Sequence, residues 1–348
     1  MLDRNEKLRR SRNRLKLKVI SAMMSILIIL ICMVIYTEVH QTRIQLGTKV
    51  LAESVSESDD ALAYTAVPIN VDEVNTNSPE IVNEEIEEEI PEDILNPKFI
   101  DKFTDGEVIV TDNSYQSKNI NISISDVTEN GYTYHIADIY VRDILNFRTA
   151  FAGGDYALDS RDSIQNISAE NNTILALTGD FYSVQPSGIV IRNGELYRDI
   201  VWGDVFVMYD DGSMESIPES EFDIKQVLQK GAYQAWSFGP MLLKDGQPMD
   251  SFNSKKQIFS KNPRSSIGYY EPGHYCFVTV DGRGQNGSDG MTLQELSYLY
   301  YDLGCTEAYN LDGGGSAKMM FFDEMVNHPS SRSREISDIL YLIEIDGQ

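Results

Sequence analysis

Short apolar runs, each broken by a two-residue turn signal and then resumed, recur along the chain from Val108 onward, and this repetition restricts the fold more than any other feature. Asn130 and Gly131 separate NINISIS from YTYHIADIYV, and Asn193 and Gly194 interrupt SGIVIRNGELYRD. VFVMYDDGSMESI and GPMLLKDGQPM carry Asp-Gly in the same place, and PRSSIGYYEPGHYCFVTVDGRG carries Pro-Gly. Asn-Gly and Asp-Gly supply the positive φ that a tight hairpin requires, and the flanking runs alternate as strands do. VIVT at Val108 and ILALTGDFY from Ile174 read as further strands. Helices are few. Met291 to Gly304 has apolar residues at helical spacing and ends in glycine, and a second helical stretch falls in the Ser160 to Asn171 region. The expectation is an α+β domain with a mostly antiparallel or mixed sheet and a few helices.

This domain does not fill the chain. Residues 1–18 carry eight Lys or Arg against Asp3 and Glu6, whereas Ser54 to Asp93 contain no basic residue. Between these blocks Val19 to Tyr36 runs without a charge, long enough for a transmembrane helix. A basic flank stays in the cytoplasm. No small-residue cleavage site follows at Thr37 to Gln45, which favours an uncleaved signal anchor over a cleaved signal peptide. Residues 37–95 are rich in Ser, Asn, Glu and Asp and end in EEIEEEIPED; such a segment buries too little apolar surface to order itself and reads as an acidic flexible linker. The folded domain is expected at 96–348, outside the cell, on a single-pass anchor in the cell membrane. The net charge of −25 excludes a nucleic-acid partner, which needs a basic face. Cys276 and Cys305 are compatible with a disulfide or with two buried thiols, and the sequence leaves both open.

Carboxylates stand at the ends of several apolar runs, in turns: Gly179-Asp180, Asp281-Gly282-Arg283, Asp289-Gly290, and Asp312 before Gly313, Gly314 and Gly315. A rigid strand fixes such a group while the turn exposes it. In AYNLDGGGSAKMM the three glycines and Ser316 also suggest backbone N–H groups arranged for a phosphoryl oxygen. Arg264, Arg283, Arg332 and Arg334 offer planar forks suited to a phosphodiester. Walker A, GxSxG, HExxH and paired CxxC motifs are absent. With four histidines no polyhistidine centre is expected; a divalent cation held by Asp oxygens remains compatible, and no other cofactor is implied.

FGPMLLKDG, NPRSSIG, PGHYCFVTVDGRG, GMTLQELSYLYYDLG, AYNLDGGGSAKM and NHPSSRSREISDILY occur in an order that resembles the phosphodiester glycosidase family, once described as exopolysaccharide biosynthesis proteins. The family includes the lysosomal uncovering enzyme, and this chain looks like its shorter bacterial members with one membrane anchor. One departure is Thr178, where the family pattern has Asn ahead of GDFY. The resemblance implies hydrolysis at an anomeric carbon with a phosphate as leaving group, acting on a carbohydrate or sugar-phosphate substrate. A glycosyl phosphate already leaves well, so the main demand is to hold the departing charge. Asp312 is then the expected nucleophile or base, with Asp180 or Asp281 as second carboxylate. Arg264, Arg283, Arg334, the amides of Gly313 to Gly315 and Ser316 are expected around the phosphate. The competing expectation is a noncatalytic exopolysaccharide or wall-polymer binding module that stacks sugars on Tyr182, Trp202 and Trp236.

Overall fold

A computed structural model of the chain describes residues 95–254 and 258–345. The chain divides into units 1–84 and 85–348, and every described residue belongs to the second. The basic segment, the anchor Val19 to Tyr36 and the linker up to residue 94 lie outside the described residues.

Each turn signal closes a hairpin. Ile120–Glu129 pairs with Tyr132–Val141, Gly188–Arg192 with Glu195–Ile200, and Val205–Tyr209 with Met214–Ile217. Met241–Lys244 pairs with Gln247–Pro248, and Arg264–Glu271 with His274–Val280. Asn130 and Asn193 take φ of 51° and 52°, followed by Gly131 and Gly194 at 79° and 84°, the paired positive φ of a two-residue hairpin loop. The helix Leu293–Leu303 begins in a capping box, in which Thr292 and Glu295 each accept from the other's backbone N–H, and ends at Gly304 with φ 81°. Ile164–Asn171 is capped by Ser163. A third helix, Ile224–Gln229, capped by Asp223, was not expected.

The described strands form three sheets whose pairings are all antiparallel, so the domain is α+β and sheet-dominated. The nine-stranded sheet carries Tyr132–Val141, His274–Val280, Arg264–Glu271 and Glu307–Asn310 as successive neighbours. Its central strands Arg264–Glu271, His274–Val280 and Glu307–Asn310 are buried on both faces. Tyr275 and Phe277 point into the core shared by all three sheets, while Cys276, Val278 and Val280 meet Leu293, Leu296 and Tyr300 of the long helix. Cys276 and Cys305 stand there as buried thiols, their Sγ atoms 3.8 Å apart. A second sheet of five strands centres on Ala232–Trp236. In the third, the C-terminal strand Asp338–Leu342 lies between Leu175–Thr178 and Phe147–Phe151.

The first and third sheets are tied together where their strands end. Leu311 N–H donates to Ser265 O at 2.8 Å at the end of the first sheet and Gly179 N–H to Asp338 O at 3.0 Å at the end of the third, and Asp312 N–H crosses between them to Gly179 O at 3.0 Å. Three of the chain's buried carboxylates, Asp180, Asp312 and Asp338, are delivered to this seam.

Candidate active site

Asp312 lies two residues beyond the strand Glu307–Asn310 and is 3 % exposed. Arg334 reaches it from the C-terminal segment, with Nη2 3.2 Å from Oδ1, and donates from Nε to Ser316 Oγ at 3.1 Å. Burial pushes the Asp312 carboxyl up to about 6; Arg334 and Ser316 pull it down, and Asp180 and Asp338 push it further up. A carboxyl in that range is mostly ionised at neutral pH yet accepts a proton readily, which suits a base or nucleophile. The ammonium of Lys318 is also buried, donating to Arg334 O; burial lowers its pKa, opposed by Asp312.

Behind Asp312 stands a second ionic group that sequence reading missed. Arg192, at the end of Gly188–Arg192, places Nη2 2.8 Å and Nε 2.9 Å from Asp338 Oδ2, with Nη2 3.7 Å from Asp180 Oδ2. Burial pushes the Asp338 carboxyl up to about 6, with Arg192 opposing. Asp338 Oδ1 accepts Asp180 N–H at 2.6 Å, and a Cβ on Gly179 would lie 2.4 Å from that oxygen, so only glycine fits there. Asp180 accepts from Phe181 N–H at 2.6 Å and Ser237 N–H at 2.9 Å. Both of its oxygens are thus committed to main-chain donors. The geometry makes it a brace rather than a group open to substrate, unlike the second catalytic carboxylate expected there. Thr178 sends Oγ1 to Ser316 O at 2.6 Å, so the residue that departs from the family pattern still supplies a hydrogen bond across the seam.

A cleft of about 270 Å³ opens over Asp312, lined also by Arg264, Arg283, Arg334, Gly313, Gly314 and Asn310. Arg264 is buried, and Nε and Nη2 donate to the carbonyls of Met291, Ile258 and Ser260 at 2.9, 2.6 and 2.9 Å. Burial pulls its pKa down to about 10, so it keeps its charge at neutral pH. Arg283 is exposed and held loosely, by Ser330 Oγ at 3.4 Å and Asn262 Oδ1 at 3.3 Å. Three guanidinium groups and one carboxyl therefore converge. The glycines contribute less than expected, because Gly314 N–H is spent on Pro263 O at 2.8 Å and Ser316 N–H on Gly313 O at 3.0 Å. Their identity follows from crowding: a Cβ on Gly313 would lie 2.8 Å from Pro263 O and one on Gly315 2.3 Å from Arg332 O, while Gly314 has φ 63°. Gly315 and Ser316 pack behind the cleft and support Arg334.

Asp281 goes elsewhere. It is fully buried, with Oδ1 accepting from His328 N–H at 2.8 Å and Oδ2 lying 3.1 Å from His328 Nδ1 and 3.4 Å from His135 Nε2. It does not line the cleft, contrary to its expected catalytic place; only Arg283, two residues on, does. Asp289 is an exposed turn residue. Of the aromatics expected to stack sugars, Tyr182 and Trp236 are 1 % and 0 % exposed and belong to the core. Trp202 is partly exposed, beside Asp204 in a neighbouring pocket of about 220 Å³.

The chain is 27 % identical over 183 residues to the uncharacterized SPbeta prophage-derived protein YomE of Bacillus subtilis strain 168. The match takes in 50 % of this chain but only 28 % of YomE's length. Among solved structures, the zebrafish N-acetylglucosamine-1-phosphodiester alpha-N-acetylglucosaminidase catalytic domain superposes with a TM-score of 0.53 at 22 % identity, over 65 % of this chain and 83 % of that one. A hypothetical protein from Synechocystis gives 0.50 at 13 % identity, over 65 % and 62 %. These two likenesses concern the fold. Residues 171–343, which hold Asp312, Asp338 and the arginines of the cleft, match the family described as phosphodiester glycosidase, and this part of the chain belongs to that family.

Proposed function

We propose that the protein is a membrane-anchored hydrolase that cleaves a sugar-1-phosphodiester bond in a cell-surface polymer or glycan outside the cell. The observation that carries the reading is the convergence of Asp312 with Arg264, Arg283 and Arg334 in one cleft. A phosphodiester brings one negative charge, and departure of the phosphate from the anomeric carbon creates a second. Guanidinium groups fixed before the reaction hold that growing charge at no cost in reorganisation. Asp312, ionised at neutral pH, either attacks the anomeric carbon or takes a proton from the attacking water. In both routes the C1–O bond breaks, and the products are the free sugar and a phosphomonoester. The anchor rests on the sequence, with its uncharged run at Val19 to Tyr36 behind a basic flank.

The test is turnover of sugar-1-phosphodiesters in water labelled with oxygen-18. The reading expects the label in the released sugar and none in the phosphate. Label in the phosphate, or equal turnover by wild type and Asp312→Asn, overturns it. Anchoring is checked by adding protease to intact cells, which should release the domain; full protection refutes export.

A further inference from the structure

Away from the cleft, His135, Asp281 and His328 bring three potential metal-ligand atoms within 4.8 Å of one another. His135 lies on Tyr132–Val141, Asp281 follows the neighbouring strand His274–Val280, and His328 arrives from the loop after Met325. We propose that His135 Nε2, Asp281 Oδ2 and His328 Nδ1 bind a zinc-class divalent cation.

Two of the three spacings already suit one, and the third pair, His135 and His328, lies within 4.8 Å, with exposed His328 free to close it. Four-coordinate zinc holds nitrogen and oxygen ligands at about 2.0–2.1 Å, which puts neighbouring ligand atoms about 3.3–3.4 Å apart at tetrahedral angles. Oδ2 of Asp281 is 3.4 Å from His135 Nε2 and 3.1 Å from His328 Nδ1. Ligand polarity agrees. Asp126 Oδ1 lies 2.6 Å from His135 Nδ1, across the strand pair, and accepts the proton there. In the neutral ring that leaves the Nε2 lone pair aimed at the oxygen of a fully buried carboxylate. In that state two acceptors face each other, and either a proton on Nε2 or a cation between them resolves the conflict. A carboxylate behind a ligating imidazole is also the usual outer partner that fixes its tautomer. The His328 side chain is 60 % exposed, so the group opens to solvent and leaves room for water as fourth ligand. Two imidazoles and one carboxylate suit zinc rather than calcium or magnesium, which prefer all-oxygen sites.

The position gives the ion a purpose. It would clamp the loop holding His328 to the large sheet, and the same loop carries Ser330, which binds Arg283, and continues to Arg334. The cation is therefore a positioning device for two of the cleft's guanidinium groups.

The experiment is competition for zinc between the full chain in detergent and a chromophoric chelator, read as affinity and stoichiometry rather than activity. Wild type should bind one zinc ion in this site. His328→Ala, at an exposed position that leaves folding intact, should weaken binding by at least about a hundredfold, and Asp126→Asn by about ten- to a hundredfold as loss of an outer partner does. His274→Ala, at a histidine paired with Asp138, should change nothing. Zinc binding equal in wild type and His328→Ala overturns the proposal. So does a wild-type chain that binds zinc at this site no more tightly than free imidazole would.

Discussion

Asp312→Asn separates the chemistry of the seam from its architecture. The substitution keeps the shape of the side chain and removes its charge. The Asp312 carboxyl titrates near about 6 in the folded protein against 3.8 for an ordinary Asp, so the native state holds that proton more tightly than the unfolded chain. The group's contribution to stability is therefore complete below about pH 3.8 and is lost as pH climbs through about 6. Above that range the buried, ionised carboxylate costs up to about 3 kcal/mol, from a shift of about two units at 1.36 kcal/mol each. Asparagine removes that cost, which is already net of the attraction to Arg334, so a gain of about 1–3 kcal/mol is expected near pH 8, or roughly 2–10 °C in Tm for a domain of this size. Near pH 5 the wild-type group is mostly protonated and the gain should shrink by about 1.5 kcal/mol. Hydrolytic activity should fall by at least about a hundredfold, as for loss of one placed acid-base group. The assay is thermal unfolding of both proteins across this pH range, paired with turnover. A variant less stable than wild type near pH 8, or one whose advantage does not depend on pH, refutes the claim that function here is held against stability.

Arg192→Ala leaves Asp338 buried without its cation and should cost about 3–5 kcal/mol in denaturant unfolding; a loss within error of zero shows the pair is not needed. Gly315→Ala drives a methyl into Arg332 O, 2.3 Å away, and should move the segment carrying Arg334, lowering both Tm and turnover. Unchanged turnover in that variant disconnects the glycines from the site. Arg264→Lys keeps a charge but cannot serve the carbonyls of Met291, Ile258 and Ser260 together, so kcat/KM should drop at least about tenfold, the equivalent of one charged hydrogen bond. Kinetics equal to wild type make Arg264 a charge donor only.

Hairpins were legible because their signals are local: Asn130-Gly131 states both the turn and the register of its strands, and Asn193-Gly194 the turn and the first pairs, before a bulge at Val190 shifts the register. The long helix was legible for the same reason, since its capping box and its terminal glycine sit at its own ends. Asp312 and the arginines of the cleft were also found, through strand ends and charge. Asp281 shows the limit. Its Asp-Gly turn looks in sequence like the turn at Asp312, and only packing sends one carboxylate to the cleft and the other to two histidines. Arg192 and Asp338 were missed because they meet across 146 residues. The available signal was a single Arg closing the apolar run GIVIR and a single Asp opening DILYL, two charges that no buried strand tolerates without a partner.

The C-terminal strand Asp338–Leu342 is an interior member of its sheet, flanked by Phe147–Phe151 and Leu175–Thr178. A ribosome makes both neighbours well before the strand that pairs between them. Until it arrives, the two earlier strands lack their shared partner, Arg192 lacks Asp338, and Arg334 has not reached Asp312. Long-range pairing of this kind folds slowly, and it cannot begin until Asp338–Leu342 has emerged. The group around Asp312 thus cannot assemble until this strand and Arg334 have both been made, so the site is among the last parts of the described domain to come into being.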